Sequence, residues 1–222
     1  MGKIRCMKLS PYRNLSQLFC GDKCGYLWIF DSNSMKLLDI LEAHQDQVLG
    51  LDFSPIGDPE DDRGMLLATS SRDKEVRIYD TKNNYNLANI IDDHESTVIG
   101  LNFVSKLNNL SLCSIDCKSN IILRPILPDG SVGEASIKSL PPKTTMSGVM
   151  KGNTVAVGTD TKIQLGELKS KDFWSFNKSV FGNSSTSKDF IALEMDEGGV
   201  YLLASSKKNK DISVIDIKSG QH

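Results

Sequence analysis

The chain has 222 residues, 39% of them hydrophobic and 24% charged, and a formal net charge of −2. These totals fit a folded domain with a sizeable core and exclude wholesale disorder, a basic footprint for nucleic acid and, since no apolar run approaches roughly 18 residues, a membrane-spanning helix. Five cysteines, an odd number in a chain whose start, Met-Gly-Lys-Ile-Arg-Cys, lacks an apolar signal core, predict reduced thiols in the cytosol or nucleus rather than a disulfide framework.

Short apolar runs at period two, separated by Gly, Asn, Asp and Ser, follow one another along the sequence, and no stretch keeps the apolar spacing of a helix over several turns. The spacing predicts an all-β protein. A first group places strands at Ile4 to Leu9, Leu18 to Gly21, Tyr26 to Phe30 and Met35 to Ile40, with a glycine-flanked turn, Gly21-Asp-Lys-Cys-Gly25, between the second and third. Trp28 and Phe30 share a face there, and burial of such large rings predicts packing against a neighbouring group of strands. The second group is the most complete. It opens at Ala43-His44, runs through Val48, Gly50, Leu51 and Phe53, and crosses a turn-rich acidic stretch, Ser54 to Gly64. It continues with Met65 to Ser71, the turn Arg72-Asp73, Glu75 to Asp80, and Leu87 to Ile91, after which Asp93-His94 restarts the pattern.

The third group, Thr97 to about Ile137, departs from the second. Asp116-Cys117-Lys118 stands where a Ser-x-Asp triplet is expected and Arg124 takes the place of Tyr79, which raises an ion network of Asp116, Lys118 and Arg124 as the expectation there. Pro125, Pro128, Gly130 and Gly133 predict a long connection before a weak strand near Ala135 to Ser139. The fourth group follows Pro141-Pro142, with strands at Thr144 to Val149, Thr154 to Gly158, Lys162 to Gly166 and Phe173 to Phe176, and then a Ser/Asn-rich loop from Asn177 to Lys188. The fifth has strands at Phe190 to Met195, Val200 to Ser205 and Ile212 to Asp216 and lacks its fourth, Lys218 to His222 reading only as the entry to one.

A His before the first strand (His44, His94), Ser71-Arg-Asp73 at the second turn, and an aromatic-Asp pair after the third strand (Phe30-Asp31, Tyr79-Asp80, with Ile215-Asp216 in the same slot), set within five three-strand patterns in register that start near Ile4, Val48, Thr97, Thr144 and Phe190, resemble the WD40 repeat of β-propellers. The resemblance implies one WD40 β-propeller segment over residues 1–222, with repeats at about 1–42, 43–92, 93–140, 141–188 and 189–222. Five repeats are fewer than the ~7 blades usual in that family, which implies an open propeller or a piece of a larger one, with edges able to self-associate. It also implies that His44, Ser71, Asp73 and Tyr79 form a buried hydrogen-bonded tetrad of structural purpose, not the Ser-His-Asp group of a hydrolase.

The strings Glu42-Ala-His44, Val48-Leu-Gly-Leu51, Leu66-Leu-Ala-Thr-Ser-Ser-Arg-Asp73, Lys143-Thr-Thr145 and Gly199-Val-Tyr-Leu-Leu-Ala204 are similar to the second propeller of the MAP-kinase-binding protein 1 group and its spindle-pole WD-repeat relatives. Lys118, Gly166 and Asn209 depart from the pattern. What this resemblance implies is a non-catalytic protein-protein interaction module of an intracellular scaffold, located in the cytoplasm or at the centrosome and spindle pole, with kinase-pathway or spindle-pole proteins as partners. The rival reading is a nucleic-acid or histone-peptide reader using the channel face, which titration of RNA, DNA and histone peptides separates from a scaffold.

The repeat register places Asp46, Gln47, Arg72, Glu95, Lys118 and Lys207 on one rim, in loops that tolerate any side chain on a rigid base. Mixed charge there favours a protein or peptide partner over nucleic acid, and Arg72 offers a planar fork for a carboxylate or phosphate. No metal, cofactor or catalytic residue is expected. Cys20-x-x-x-Cys24 and Cys113-x-x-x-Cys117 fall in non-adjacent repeats and predict core packing before a zinc site, and the acidic stretch after Phe53 lacks the spacing of a calcium loop.

Overall fold

The computed structural model describes residues 2–12, 16–55, 65–106, 109–127, 130–140, 145–170, 173–180, 190–196, 198–207 and 212–220. Most of the acidic stretch, the Pro141-Pro142 segment, most of the Ser/Asn-rich loop, Asn209 and the last two residues lie outside the described residues, and so does the cation reading of the first.

Every named element is a strand. Sheet one holds β1 (Ile4–Leu9), β2 (Gln17–Asp22), β3 (Tyr26–Asp31) and β4 (Leu37–Glu42). Sheet two holds β5 (Val48–Phe53), β6 (Leu66–Ser71), β7 (Val76–Asp80) and β8 (Asn86–Ile91). Sheet three holds β9 (Val98–Lys106), β10 (Asn109–Asp116), β11 (Asn120–Ile126) and β12 (Ser136–Ser139). Sheet four holds β13 (Thr145–Lys151), β14 (Thr154–Thr159), β15 (Ile163–Ser170) and β16 (Phe173–Val180). Sheet five holds β17 (Phe190–Met195), β18 (Tyr201–Ser206) and β19 (Ile212–Asp216). Within each sheet the strands are antiparallel and lie in chain order.

The core is divided. Four apolar clusters each join two successive sheets, as when Leu66, Val76 and Ile78 of sheet two meet Val98, Leu101 and Phe103 of sheet three. This arrangement explains why β6 is buried at all six positions: an interior strand is covered on both faces by neighbouring sheets, so its sequence is a continuous run rather than an alternation. Each fully buried aliphatic side chain stabilises such an interface by about 1.5–3 kcal/mol. The first strands of successive sheets, β1, β5, β9, β13 and β17, pack on one another and form the inner wall, and no comparable contact joins sheet five to sheet one among the described residues. The result is a propeller arc.

Two details repeat from sheet to sheet. The register of every first strand skips one residue: Arg5, Leu49, Ile99, Met146 and Ile191 each lie between two paired neighbours, the mark of a β-bulge. The turn from second to third strand also recurs, with Gly25, Lys74 and Ser119 in the left-handed region at φ 91°, 79° and 67°. Each donates its N–H three residues back, to Asp22, Ser71 and Asp116 respectively. Glycine suits the turn in sheet one doubly, because its carbonyl accepts from Ala43 and His44 and an added Cβ would strike the His44 carbonyl.

Some local expectations need correction. The third strand of the fourth group does not stop at Gly166 but runs to Ser170, and its cross-strand neighbour Phe176 lays its ring over Gly166, where a Cβ would collide with it. The aromatic expected at that slot is thus supplied by the adjacent strand. In sheet one, Leu27 and Ile29 fill the interface with sheet two, while Trp28, half buried on the other face, donates its Nε1–H to Asp22 at 2.9 Å. Cys20 and Cys113 are buried as expected, but Cys24 is exposed and Cys117 half buried.

Candidate functional site

The rim is built from the loops that enter each first strand and the turns between second and third strands, and buried polar networks hold both. In sheet two, His44 Nδ1 lies 2.9 Å from Asp73 Oδ2, and Nε2 lies 2.8 Å from Thr69 Oγ1. An ionised carboxylate can only accept, so in the neutral ring it fixes the proton on Nδ1 and leaves Nε2 to accept the Thr69 hydroxyl. Burial opposes the charge on Asp73, but the His44 hydrogen bond and the amides of Glu75 and Gln45 outweigh it and hold the carboxyl well below its usual range. Tyr79 donates to the Ala43 carbonyl at 3.2 Å, and burial pushes its phenol up against the influence of Arg77 and Thr69 beside it.

Three of the four expected members, His44, Asp73 and Tyr79, meet in this way; Ser71 does not. Its hydroxyl donates to the Asp46 carbonyl at 3.2 Å and accepts the Asp73 N–H at 3.1 Å, so it ties the two rim loops together. The hydroxyl on His44 belongs to Thr69. Residues 69 and 71 lie on the same face of β6 at period two, and the ring reaches the one inside the strand rather than the one at its end. Ser70, between them, leaves its buried hydroxyl without a hydrogen-bond partner among the described residues.

Sheet three rebuilds the network from different residues. His94 Nε2 lies 2.7 Å from Ser114 Oγ and Nδ1 lies 3.3 Å from Asp116 Oδ2, with the acid two positions earlier than in sheet two. Asp116 also accepts the N–H groups of Lys118 and Asn120 and the Asn120 side-chain amide. Burial again works against the charge, and the His94 and Asn120 hydrogen bonds overcome it, lowering the carboxyl from its ordinary value. Asp116, Lys118 and Arg124 therefore do not share one ion network. Lys118 pairs with Glu95, and Arg124 reaches back to Asp93 and donates to the Gly133 carbonyl. Arg124 thus does what Tyr79 does, bonding the residue just before the histidine. In sheet one, which has no histidine, Asp22 takes the N–H groups of Gly2, Cys24 and Tyr26 and the Trp28 indole.

Ser114, His94 and Asp116 have the connectivity of a hydrolytic triad. Their exposures are 4%, 4% and 0%, so no substrate carbonyl reaches the hydroxyl, and the arrangement is structural. His44, Asp73 and Glu75 bring possible metal-ligand atoms within 4.8 Å of one another. Each is already engaged: Asp73 with His44 and the Glu75 N–H, and Glu75 with the Arg77 guanidinium at 2.7 and 2.9 Å.

The sequence-predicted rim residues gather on the same side of the arc. Arg72 and Lys118 are exposed and each faces an acid across the loop pair, Arg72 Nε to Asp46 Oδ2 at 3.9 Å and Lys118 Nζ to Glu95 Oε2 at 3.4 Å. Glu95 and Lys207 are exposed, whereas Asp46 and Gln47 are only partly so, because their carbonyls receive Ser71 Oγ and the Arg72 N–H. Exposed ion pairs of this kind contribute about 0–1 kcal/mol, so a partner can exchange them at little cost.

An arc of antiparallel sheets, two of whose turns are pinned by buried His-Asp-hydroxyl networks, has the architecture of a β-propeller segment. Residues 35–80 match the family model for the WD domain, G-beta repeat. WD repeat-containing protein 62 of Mus musculus is 28% identical over 225 residues, 98% of this chain and 14% of that protein. Mitogen-activated protein kinase-binding protein 1 of Mus musculus is homologous over 57% of the chain, 29% identical across 128 residues that make up 8% of its own length. The chain therefore spans a small part of the curated relatives it matches. In fold it is similar to the β-propeller domain of Myceliophteria thermophila Cps50 (Swd1), with a TM-score of 0.73 at 16% identity over 98% of this chain and 66% of that one. A chain of the mitotic checkpoint complex gives 0.72 at 13% identity, over 96% and 64%. WD-repeat propellers in general hold proteins together and are not catalysts.

Proposed function

We propose that the chain is a docking module of an intracellular scaffold, binding a protein partner across the rim that carries Asp46, Gln47, Arg72, Glu95, Lys118 and Lys207. The observation that carries this reading is the repeated rim unit: in sheets two and three a buried histidine network fixes a turn that presents one exposed cation opposite one acid. Rigid presentation lowers the ordering cost of binding, and alternating charge selects register more than affinity. The enclosed triad of sheet three argues for a non-catalytic role, and the name of the kinase-binding relative makes a mitogen-activated protein kinase the first partner to try. The expected setting is the cytoplasm or a microtubule-organising structure, which imaging of the tagged protein tests.

Binding of a purified mitogen-activated protein kinase, and of proteins recovered by proximity labelling, should be compared between the natural chain, Arg72→Glu and Lys118→Glu. Charge reversal is expected to weaken the partner's binding about tenfold at each site without changing the melting midpoint. Full retention by both variants places the interface elsewhere, and tighter binding to RNA, DNA or histone peptides than to any protein partner favours a reader.

A further inference from the structure

The five bulge residues stand at one level of the inner wall. Each is the second residue of its first strand, on the side where the rim loops enter, and the first strands pack in succession, so Arg5, Leu49, Ile99, Met146 and Ile191 line the mouth of the arc. A bulge residue has no ladder partner and its side chain is re-aimed out of the pleat. None of the five is fully buried: Arg5 is exposed, Leu49 and Ile99 are partly buried, and Met146 and Ile191 are 37% and 49% exposed. Four of them are nonetheless aliphatic. Behind each lies a small residue, Cys6, Gly50, Gly100, Ser147 or Ala192, and a Cβ at Gly100 would sit 2.5 Å from the Gly148 carbonyl oxygen. The wall is therefore tight, and the aliphatic groups face outward from it without filling the cores between sheets. Recurrence of apolar side chains at one open level marks a contact surface.

The fifth bulge residue adds charge. Arg5, Lys3 and Lys23 are all exposed in sheet one, with the Lys23 N–H donating to the Lys3 carbonyl at 2.9 Å. Among the described residues no carboxylate lies within ion-pair distance of any of the three, in contrast to Arg72 and Lys118 on the adjoining rim.

We propose that this mouth binds an extended acidic segment of a partner protein, seating an aliphatic side chain against Leu49, Ile99 and Met146 and a neighbouring carboxylate against Arg5. The inference deepens the docking reading above and rests on it for the face used. It names the chemistry recognised: an aliphatic residue followed by acids.

The test is fluorescence anisotropy with four labelled, end-capped peptides, each a Gly-Ser octamer carrying Leu-Glu-Glu, Leu-Gln-Gln, Ser-Glu-Glu or Leu-Lys-Lys at its centre. The Leu-Glu-Glu peptide is expected to bind at least about tenfold tighter than the others, and Met146→Glu to remove that preference. Arg5→Glu, at an exposed site, should turn the preference toward Leu-Lys-Lys without lowering the melting midpoint. Absence of binding by all four peptides up to about 1 mM, or an unchanged order of preference in Arg5→Glu, overturns the proposal. Its failure is separable from that of the rim. Partner binding that depends on Arg72 and Lys118 with no peptide preference sinks the mouth alone, and the converse sinks the rim alone.

Discussion

Three consecutive hydroxyl residues in β6 illustrate how unequal neighbouring side chains are. Thr69→Val leaves His44 Nε2 buried without its partner and is expected to cost about 1–3 kcal/mol, whereas Ser70→Ala removes a buried hydroxyl that bonds nothing among the described residues and should leave the melting midpoint level or raised. Thermal melts of the two variants side by side decide this, and equal losses would refute the assignment of Thr69. The acids of these networks make stability depend on pH in one direction. Asp73 is held below its ordinary range when folded, so its contribution is complete above the unfolded value near about 3.9 and drains away as pH falls below that toward the folded value. Asp22 and Asp116 are lowered too and act in the same sense. The gap in melting midpoint between the natural chain and Asp73→Asn is therefore expected to be wide at about pH 7 and to close on acidification below about pH 4. A gap that stays constant down to about pH 2.5 would show that the His44 contact does not favour the charged form. The sequence made His44, Asp73 and Tyr79 legible as partners through spacing, but the choice between Thr69 and Ser71 depends on which of two same-face hydroxyls a ring can reach.

At the scale of the element, the second-to-third turn is one backbone shape carried by different residues. Lys74 and Ser119 hold the left-handed conformation that Gly25 adopts without strain. Lys74→Gly is expected to stabilise the fold by roughly 1 kcal/mol, since a side chain there crowds the following carbonyl. Chemical denaturation measures it, and a lower midpoint would mean that the glycine's freedom in the unfolded chain outweighs the relieved strain. Strand positions were readable because period-two runs and Gly/Asp turns are local signals; where they failed, the cause was not local. Gly166 looked like the end of a strand because nothing in its own neighbourhood announces the Phe176 ring laid over it. Asp116 looked like a broken motif because a carboxylate two positions early reaches the same imidazole from inside the strand. The bulges left a sequence trace that can be read only in hindsight, an aliphatic residue followed by a small one in four first strands.

For the whole molecule, dividing the core among sheet interfaces makes stability a property of neighbours. Ile78, wholly buried between sheets two and three, should cost about 2–5 kcal/mol on truncation to Ala, while Val214, 54% exposed in sheet five, should cost less than about 0.5 kcal/mol. Polar ties run the same way around the arc: Asp52 pairs with Lys8 behind it and accepts the Phe103 N–H ahead, and Asn102 accepts the Met150 N–H of the next first strand. The matched repeat, residues 35–80, is out of step with these sheets. It takes in β4 from sheet one and β5 to β7 from sheet two. A duplicated or deleted repeat therefore never adds or removes a sheet cleanly; it reassigns the outermost strand of the sheet before it. Genetic growth of such a chain is splicing in the manner of rope, each new length laid into the strands of the old, so that a copy gained or lost leaves the strand count of the neighbouring sheets as it was and moves the junction from the wall to the outer edge.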